Sequence, residues 1–206
     1  MVDASEAAVL VFDLGGVVID IDFGRAFAWW ASAAAADPEE IGARFAFDEA
    51  YEAHERGELS TSAYFDHLRS VLGLALPDDE LSRGWNDIYL GPVAGMADVL
   101  GEAAMRWPLF AFTNTNDAHH AHWSIAYASE LEVFREIFLS SDLRMRKPDP
   151  AAFTAVAARI EVAPGEIMFF DDLAENVAGA QEAGMTGVLV SSAADVRAAL
   201  APRGVD

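Results

Sequence analysis

The sequence predicts an α/β fold, a parallel sheet flanked by helices, with an all-helical segment inserted into it. Three observations carry this: short apolar runs recur along the chain, helix-length segments with recognisable ends separate them, and strand signals stop from about residue 22 to residue 91. The plain runs are "AAVLVF" before Asp13, "LFAF" before Thr113, "IMFF" before Asp171 and "GVLV" before Ser191. Each is too short for a helix and rich in Val, Phe, Ile or Leu without polar alternation, the pattern of strands buried on both faces. A weaker fifth, "EIFLSSD", ends near Ser140. Asp149 before Pro150 opens the helix "AAFTAVAARI", and Gly184 closes "LAENVAGAQEAG". Strands alternating with helices imply right-handed crossovers and a sheet covered on both faces. The interruption reads as three or four helices: "RAFAWWASAAA", "EEIGARFAFDEAYEAHERG", "STSAYFDHLRSVLG" and "DDELSRGWNDIY". The expected division is therefore a core of residues 1–20 and 91–206 around a helical unit of residues 21–90. "YLGPVAGM", with Gly91, Pro92 and Gly95, serves as connector or hinge.

Composition narrows the function. The chain has 206 residues, 53% apolar and 23% charged, enough to bury a real core. Thirty-four acidic residues against 13 basic ones give a net charge of -21, which repels nucleic-acid backbones and anionic lipid. No nucleic-acid or membrane partner is expected. The absence of cysteine removes disulfides, thiolate zinc sites and thiol catalysis, and the opening "MVDASEAAVLVFD" lacks a signal peptide's basic and apolar segments. The expected location is cytoplasmic. Of the 13 basic residues only Lys147 is lysine, so this position selects a compact ammonium over a planar guanidinium.

Ligands of open parallel sheets bind outside the carboxyl ends of the strands. Here those ends carry Asp13, Thr113 with Asn114, and the pair Asp171 and Asp172. Any one could be a turn former or a helix cap, but three strand ends agree. A nucleophilic carboxylate, a hydroxyl, a lysine and a second acidic pair are what phosphoryl transfer to an aspartate requires. Asp13 would attack phosphorus. Mg²⁺, held by Asp13, a nearby backbone carbonyl and Asp172, would offset the charge repulsion. Lys147, Thr113 and the Asn114 backbone N–H would bind the remaining phosphate oxygens.

Over essentially its whole length the chain resembles the haloacid dehalogenase superfamily of phosphatases. The stretches that carry the resemblance are "VFDLGGVVID", "FAFTNTN", "MRKPDPAAF" and "MFFDDLAENVAGA", in that order. The resemblance implies a Rossmann-like core with a helical cap. It implies that Asp13 is the nucleophile, that Gly15 offers a backbone carbonyl to magnesium, and that Thr113 and Asn114 bind phosphate. Lys147 then screens charge, Asp171 and Asp172 complete the metal site, and Asn176 supports it. Within the superfamily the chain is most similar to bacterial phosphatases of the alpha-glucose-1-phosphate type, sharing "FDLG", "IDIDF", "HERGE", "SD", "MRKP" and "FFDD". The implied substrate is a small phosphorylated metabolite, a sugar phosphate. Two further readings of the same constellation are a haloacid dehalogenase and a catalytically weak binding protein.

One position departs from the superfamily's D-x-D pattern: Gly15 stands where the second Asp protonates the leaving oxygen. Such help is worth about 10² to 10⁴ in rate. Asp20, Asp22, His54 and Glu55 are the candidate replacements, and Asp20, Glu55 and Arg56 the candidate substrate contacts outside the core. His119, His120 and His122 lack acidic partners at ligand spacing, so a solvated or cap-facing role is expected. Trp29 and Trp30 are adjacent, so only one can point into a helix-packed core.

Overall fold

Residues 7–201 are described by a computed structural model. The sheet has five parallel strands: β1 (Val9–Phe12), β4 (Leu109–Thr113), β5 (Ile137–Leu139), β6 (Ile167–Asp171) and β7 (Thr186–Leu189), in the order β5-β4-β1-β6-β7. The central strand pairs Phe12 with Ala111 on one side and with Phe170 on the other. Alternate residues of β1 enter different cores. Leu10 and Phe12 join Met168, Phe170, Met96 and Leu100, whereas Val9 and Val11 join Phe112, Phe153 and Phe169. Both faces are apolar, which is why these strands show no polar alternation. Strand β7 differs. It lies at the sheet edge with Leu189 55% exposed, so the expectation of two-sided burial fails there.

Helix α6 (Met96–Ala104) packs with α12 (Ala193–Leu200), and α10 (Pro150–Ile160) with α11 (Ala174–Glu182). Asp149 caps α10 by accepting from Ala151 N, with Pro150 in the first turn as the sequence implies. Asn116 caps α7 (Asp117–Ala126) in the same way, accepting from His119 N.

The interruption contains five helices: α1 (Phe23–Ala34), α2 (Pro38–Arg44), α3 (Glu49–Glu55), α4 (Thr61–Leu72) and α5 (Asp78–Asn86). Residues 39–57, read as one helix, form two. Phe45 leaves the helix in extended backbone and packs against Phe23 and Phe27, while the Asp48 carboxylate accepts from Tyr51 N and starts α3. A side chain that satisfies the first-turn N–H groups favours a new start over continuation. A second correction concerns the connectors. β2 (Ile19–Ile21) and β3 (Tyr89–Pro92) form an antiparallel ribbon through which the chain leaves and rejoins the core.

The five helices enclose their own apolar cluster around Trp30, Trp85, Tyr64, Ile41, Leu68 and Leu81. Trp30 is fully buried and donates to Leu81 O at 3.1 Å, while Trp29 is 37% exposed and donates to Glu80. Trp30 lies flat along Trp85, with ring centroids 6.2 Å apart. This stacking needs the bare backbone of Gly84, because a Cβ there would run into the Trp30 indole. Gly84→Ala is expected to lower stability by about 1–3 kcal/mol, the usual cost of overpacking, read as a lower Tm in thermal unfolding.

Candidate active site

Because β1 lies between β4 and β6, their carboxyl ends bring Asp13, Thr113 and Asp171 side by side. Lys147 reaches them from the loop that follows α9 (Ser140–Leu143). That loop is clamped by the Asn114 side chain, whose Oδ1 accepts from Lys147 N at 2.9 Å and whose Nδ2 donates to Lys147 O at 3.0 Å. Any contact of Asn114 with a ligand therefore falls to its main chain. Gly179 on α11 lets the helix lie against the same loop, since a Cβ would strike the Pro148 carbonyl.

The Lys147 ammonium is fully buried, 2.9 Å from Asp13 Oδ2 and 2.7 Å from Asp171 Oδ2, with the Phe112 and Phe169 rings nearby. Burial alone would lower its pKa, but the two carboxylates outweigh it and hold the ammonium above its usual value. Burial raises the Asp13 carboxyl to about 7, with Lys147 opposing and Asp171 adding to the shift.

The two neighbouring aspartates are used differently. Asp171 accepts from Lys147 Nζ, from Asn176 Nδ2 at both oxygens and from Leu173 N. Those contacts occupy the lone pairs a carboxylate can offer. Asp172 is half-buried, and burial followed by the Asp171 charge raises its carboxyl. Oxygens of Asp13, Asp171 and Asp172 lie within 4.8 Å of one another, and with Asp171 already engaged, Asp13 and Asp172 have lone pairs left for a divalent cation. Hard oxygen donors in this number suit Mg²⁺. The backbone supports the fit: Gly16 adopts φ +76°, and a Cβ there would collide with the Asp172 carboxylate. Asp13 and Asp172 are the better placed ligands, and Asp171 is mainly the anchor for Lys147. Gly15 has no left-handed φ; its nearest obstacle to a side chain is Ile21 Cδ1, 3.2 Å from an ideal Cβ.

A cavity of about 60 Å³ lies between the strand ends and the inserted helices. Gly15, Thr113 and Asn114 line it from the core, and Phe23, Tyr51 and Glu55 from the insert. Thr113 is buried, with only a marginal 3.5 Å hydrogen bond to Asn114 O, so its hydroxyl remains available. Of the candidates outside the core, Glu55 alone lines this cavity. Asp20 is exposed on β2, Asp22 caps α1, and Arg56 is paired with Glu49, Glu52 and Glu58. The three histidines separate. His122 is exposed, but His119 is buried against the Trp85 ring, donating from Nε2 to Trp85 O and accepting at Nδ1 from Asn116. Burial lowers its pKa to about 3, so it is a neutral packing residue between α5 and α7.

The haloacid dehalogenase-like hydrolase family matches residues 7–184. The chain belongs to this family. A D-ribitol-5-phosphate phosphatase of Bacteroides thetaiotaomicron is 24% identical over 194 residues, 91% of this chain and 94% of that protein. A sesquiterpene phosphatase of Aspergillus oryzae is 30% identical over 142 residues, 68% and 71% of the two chains. Among solved structures, a family enzyme of Bacteroides thetaiotaomicron, crystallised with magnesium and inorganic phosphate, superposes with a TM-score of 0.75 at 26% identity. That match covers 87% of this chain and 92% of the other. Among the described residues of this hydrolase, no helix is long and apolar enough to cross a membrane.

Sequence reasoning passed over Arg146 and Ser140. Arg146 donates from Nε to Glu55 Oε2 at 2.8 Å and pairs with Glu52 at 3.1 Å. Ser140 donates to Glu55 O at 2.7 Å and accepts from Thr115 N at 2.8 Å. Arg146 lies in "MRKP", a stretch that carries the resemblance, and Ser140 just before "SD", yet their partners are remote in sequence. Lys147→Arg tests the central cation. A wider guanidinium has no room at a fully buried site, so the variant should lose about 1–3 kcal/mol of stability, measured by denaturant unfolding.

Proposed function

We propose that this hydrolase is a magnesium-dependent phosphatase of small phosphorylated metabolites that works through an aspartyl-phosphate on Asp13. The observation that carries this reading is the Lys147 ammonium bridging Asp13 and Asp171, with Asp172 alongside. Lys147 opposes the effect of burial on Asp13, favouring its ionised form, and aims it, and its remaining charge faces the phosphate oxygens. Thr113 donates its hydroxyl to one of those oxygens. Asp171 carries no reacting bond; it fixes Lys147. Asp13, the Gly15 carbonyl and Asp172 would hold Mg²⁺, which when bound supplies Lewis-acid stabilisation of the phosphoryl group. The carboxylate attacks phosphorus, the alcohol departs, and water then releases phosphate from Asp13.

Residues 21–90 act as a cap over this centre. A cavity of about 60 Å³ is far below the ~300–1,000 Å³ typical of small-molecule sites, so the cap must open to admit substrate and close to exclude water. Sugar and alditol phosphates are the leading substrate class. The resemblance to alpha-glucose-1-phosphate phosphatases and the D-ribitol-5-phosphate phosphatase relative support it. A dehalogenase reading leaves Asp172 without a purpose, since Lys147 already lies between Asp13 and Asp171 and a third carboxylate beside them repels both unless a further cation is bound.

The test is a screen of phosphorylated metabolites with Mg²⁺ and with EDTA. Turnover in the first and none in the second is expected, whereas release of halide from a haloacid without metal would replace this reading. Asp13→Asn should lower kcat/KM by more than about a thousandfold while the protein stays folded, because an amide is neither a nucleophile nor a good magnesium ligand.

A further inference from the structure

Gly15 leaves the core without a proton donor for the leaving oxygen, and the structure narrows where one can come from. Asp20 and Asp22 are exposed on β2 and at the α1 cap, outside the cavity lining. His54 is buried with Nδ1 unpartnered, but it stacks on Tyr64 and does not line the cavity. Glu55 is 4% exposed at the end of α3 and lines the cavity together with Gly15, Thr113 and Asn114. Its position is held at both ends. Arg146 donates to Oε2 at 2.8 Å, and Ser140 donates to its backbone carbonyl at 2.7 Å.

We infer that Glu55, supplied by the cap, is the general acid and base that replaces the missing Asp at Gly15. This rests on the phosphatase reading above. In the first step an Asp13 oxygen bonds to phosphorus as the bond to the alcohol oxygen breaks. The electron pair of that bond passes to the leaving oxygen, which takes the Glu55 proton and departs as the alcohol. In the second step the Glu55 carboxylate takes a proton from water as the water oxygen bonds to phosphorus. The bond from Asp13 to phosphorus breaks, releasing phosphate and restoring both side chains. Burial raises the Glu55 carboxyl, with Arg146 opposing, which favours its proton-carrying form relative to a solvated glutamate. Cap closure then has a chemical role as well as a steric one, because an open cap removes the acid from the site.

The experiment compares Glu55→Gln with wild type on two substrates: para-nitrophenyl phosphate, whose leaving oxygen needs no proton, and the best primary alkyl phosphate from the metabolite screen. The ratio kcat/KM reports steps only through release of the alcohol. The expected result is a loss of at least about a hundredfold on the alkyl phosphate, and of less than about tenfold on the aryl phosphate. A burst of nitrophenol stoichiometric with enzyme should also appear, because hydrolysis of the aspartyl-phosphate loses its base. Equal losses on both substrates, or no loss on either, overturn the assignment. If Glu55→Gln does not fold, Glu55→Asp is read the same way: its shortened reach should cost the alkyl substrate at least tenfold more than the aryl one, and an unchanged ratio overturns the assignment. Failure of the phosphatase reading is seen separately, as wild-type protein inactive on both esters or Asp13→Asn active on them.

Discussion

The buried Lys147 is the constraint around which this protein is organised. An ammonium withdrawn from water is costly unless carboxylates face it, and here two do, from the ends of adjacent strands. Those strands must stay in register for the charges to meet. The Asn114 clamp on the Lys147 backbone, the bare Gly179 beneath the loop and the Asn176 amide on Asp171 all hold one arrangement of three side chains. Fold stability and chemistry therefore share the same ion network, and a change to one of its members acts on both.

The core was legible because its strands are buried on both faces: "AAVLVF" and "IMFF" are uniform apolar runs, and each is followed directly by the residue that enters the site. The β2 and β3 ribbon was not. Three residues at Ile19–Ile21 are too few to show alternation, and Gly91 with Pro92 reads as a breaker although both belong to β3. The split of residues 39–57 into two helices depends on where Phe45 finds aromatic neighbours, which local periodicity does not encode. In the site, Asp13, Thr113, Lys147, Asp171 and Asp172 announced themselves by strand position or composition. Arg146 and Ser140 did not, because they act across the junction between insert and core, and the sequence fixes neither the docking of that insert nor its contacts.

The junction between insert and core carries several directional polar contacts. Arg146 receives Glu52 and Glu55 from α3, Ser140 receives the Glu55 carbonyl, and His119 ties α7 to the Trp85 carbonyl. Directional bonds of this kind specify one docked orientation where apolar packing would accept several. They also lie beside the cavity, so the contacts that seat the helices are those that deliver an acidic side chain to the strand ends. A net charge of -21 makes the surroundings unwelcoming to a free phosphate and favourable to cations, leaving Lys147 to supply attraction at short range.

The ribbon has a consequence for how such a protein can change over time. Ile21 pairs with Tyr89, so the chain departs for the five helices and returns from them at neighbouring points, about 5 Å apart. An element spliced in through two adjacent ends puts little strain on its host, whatever its size. The helices can be lengthened, shortened or exchanged for another unit while the five strands and their ion network remain undisturbed. New leaving groups can thus be accommodated by remodelling the insert alone, with the phosphoryl-handling half of the molecule held constant.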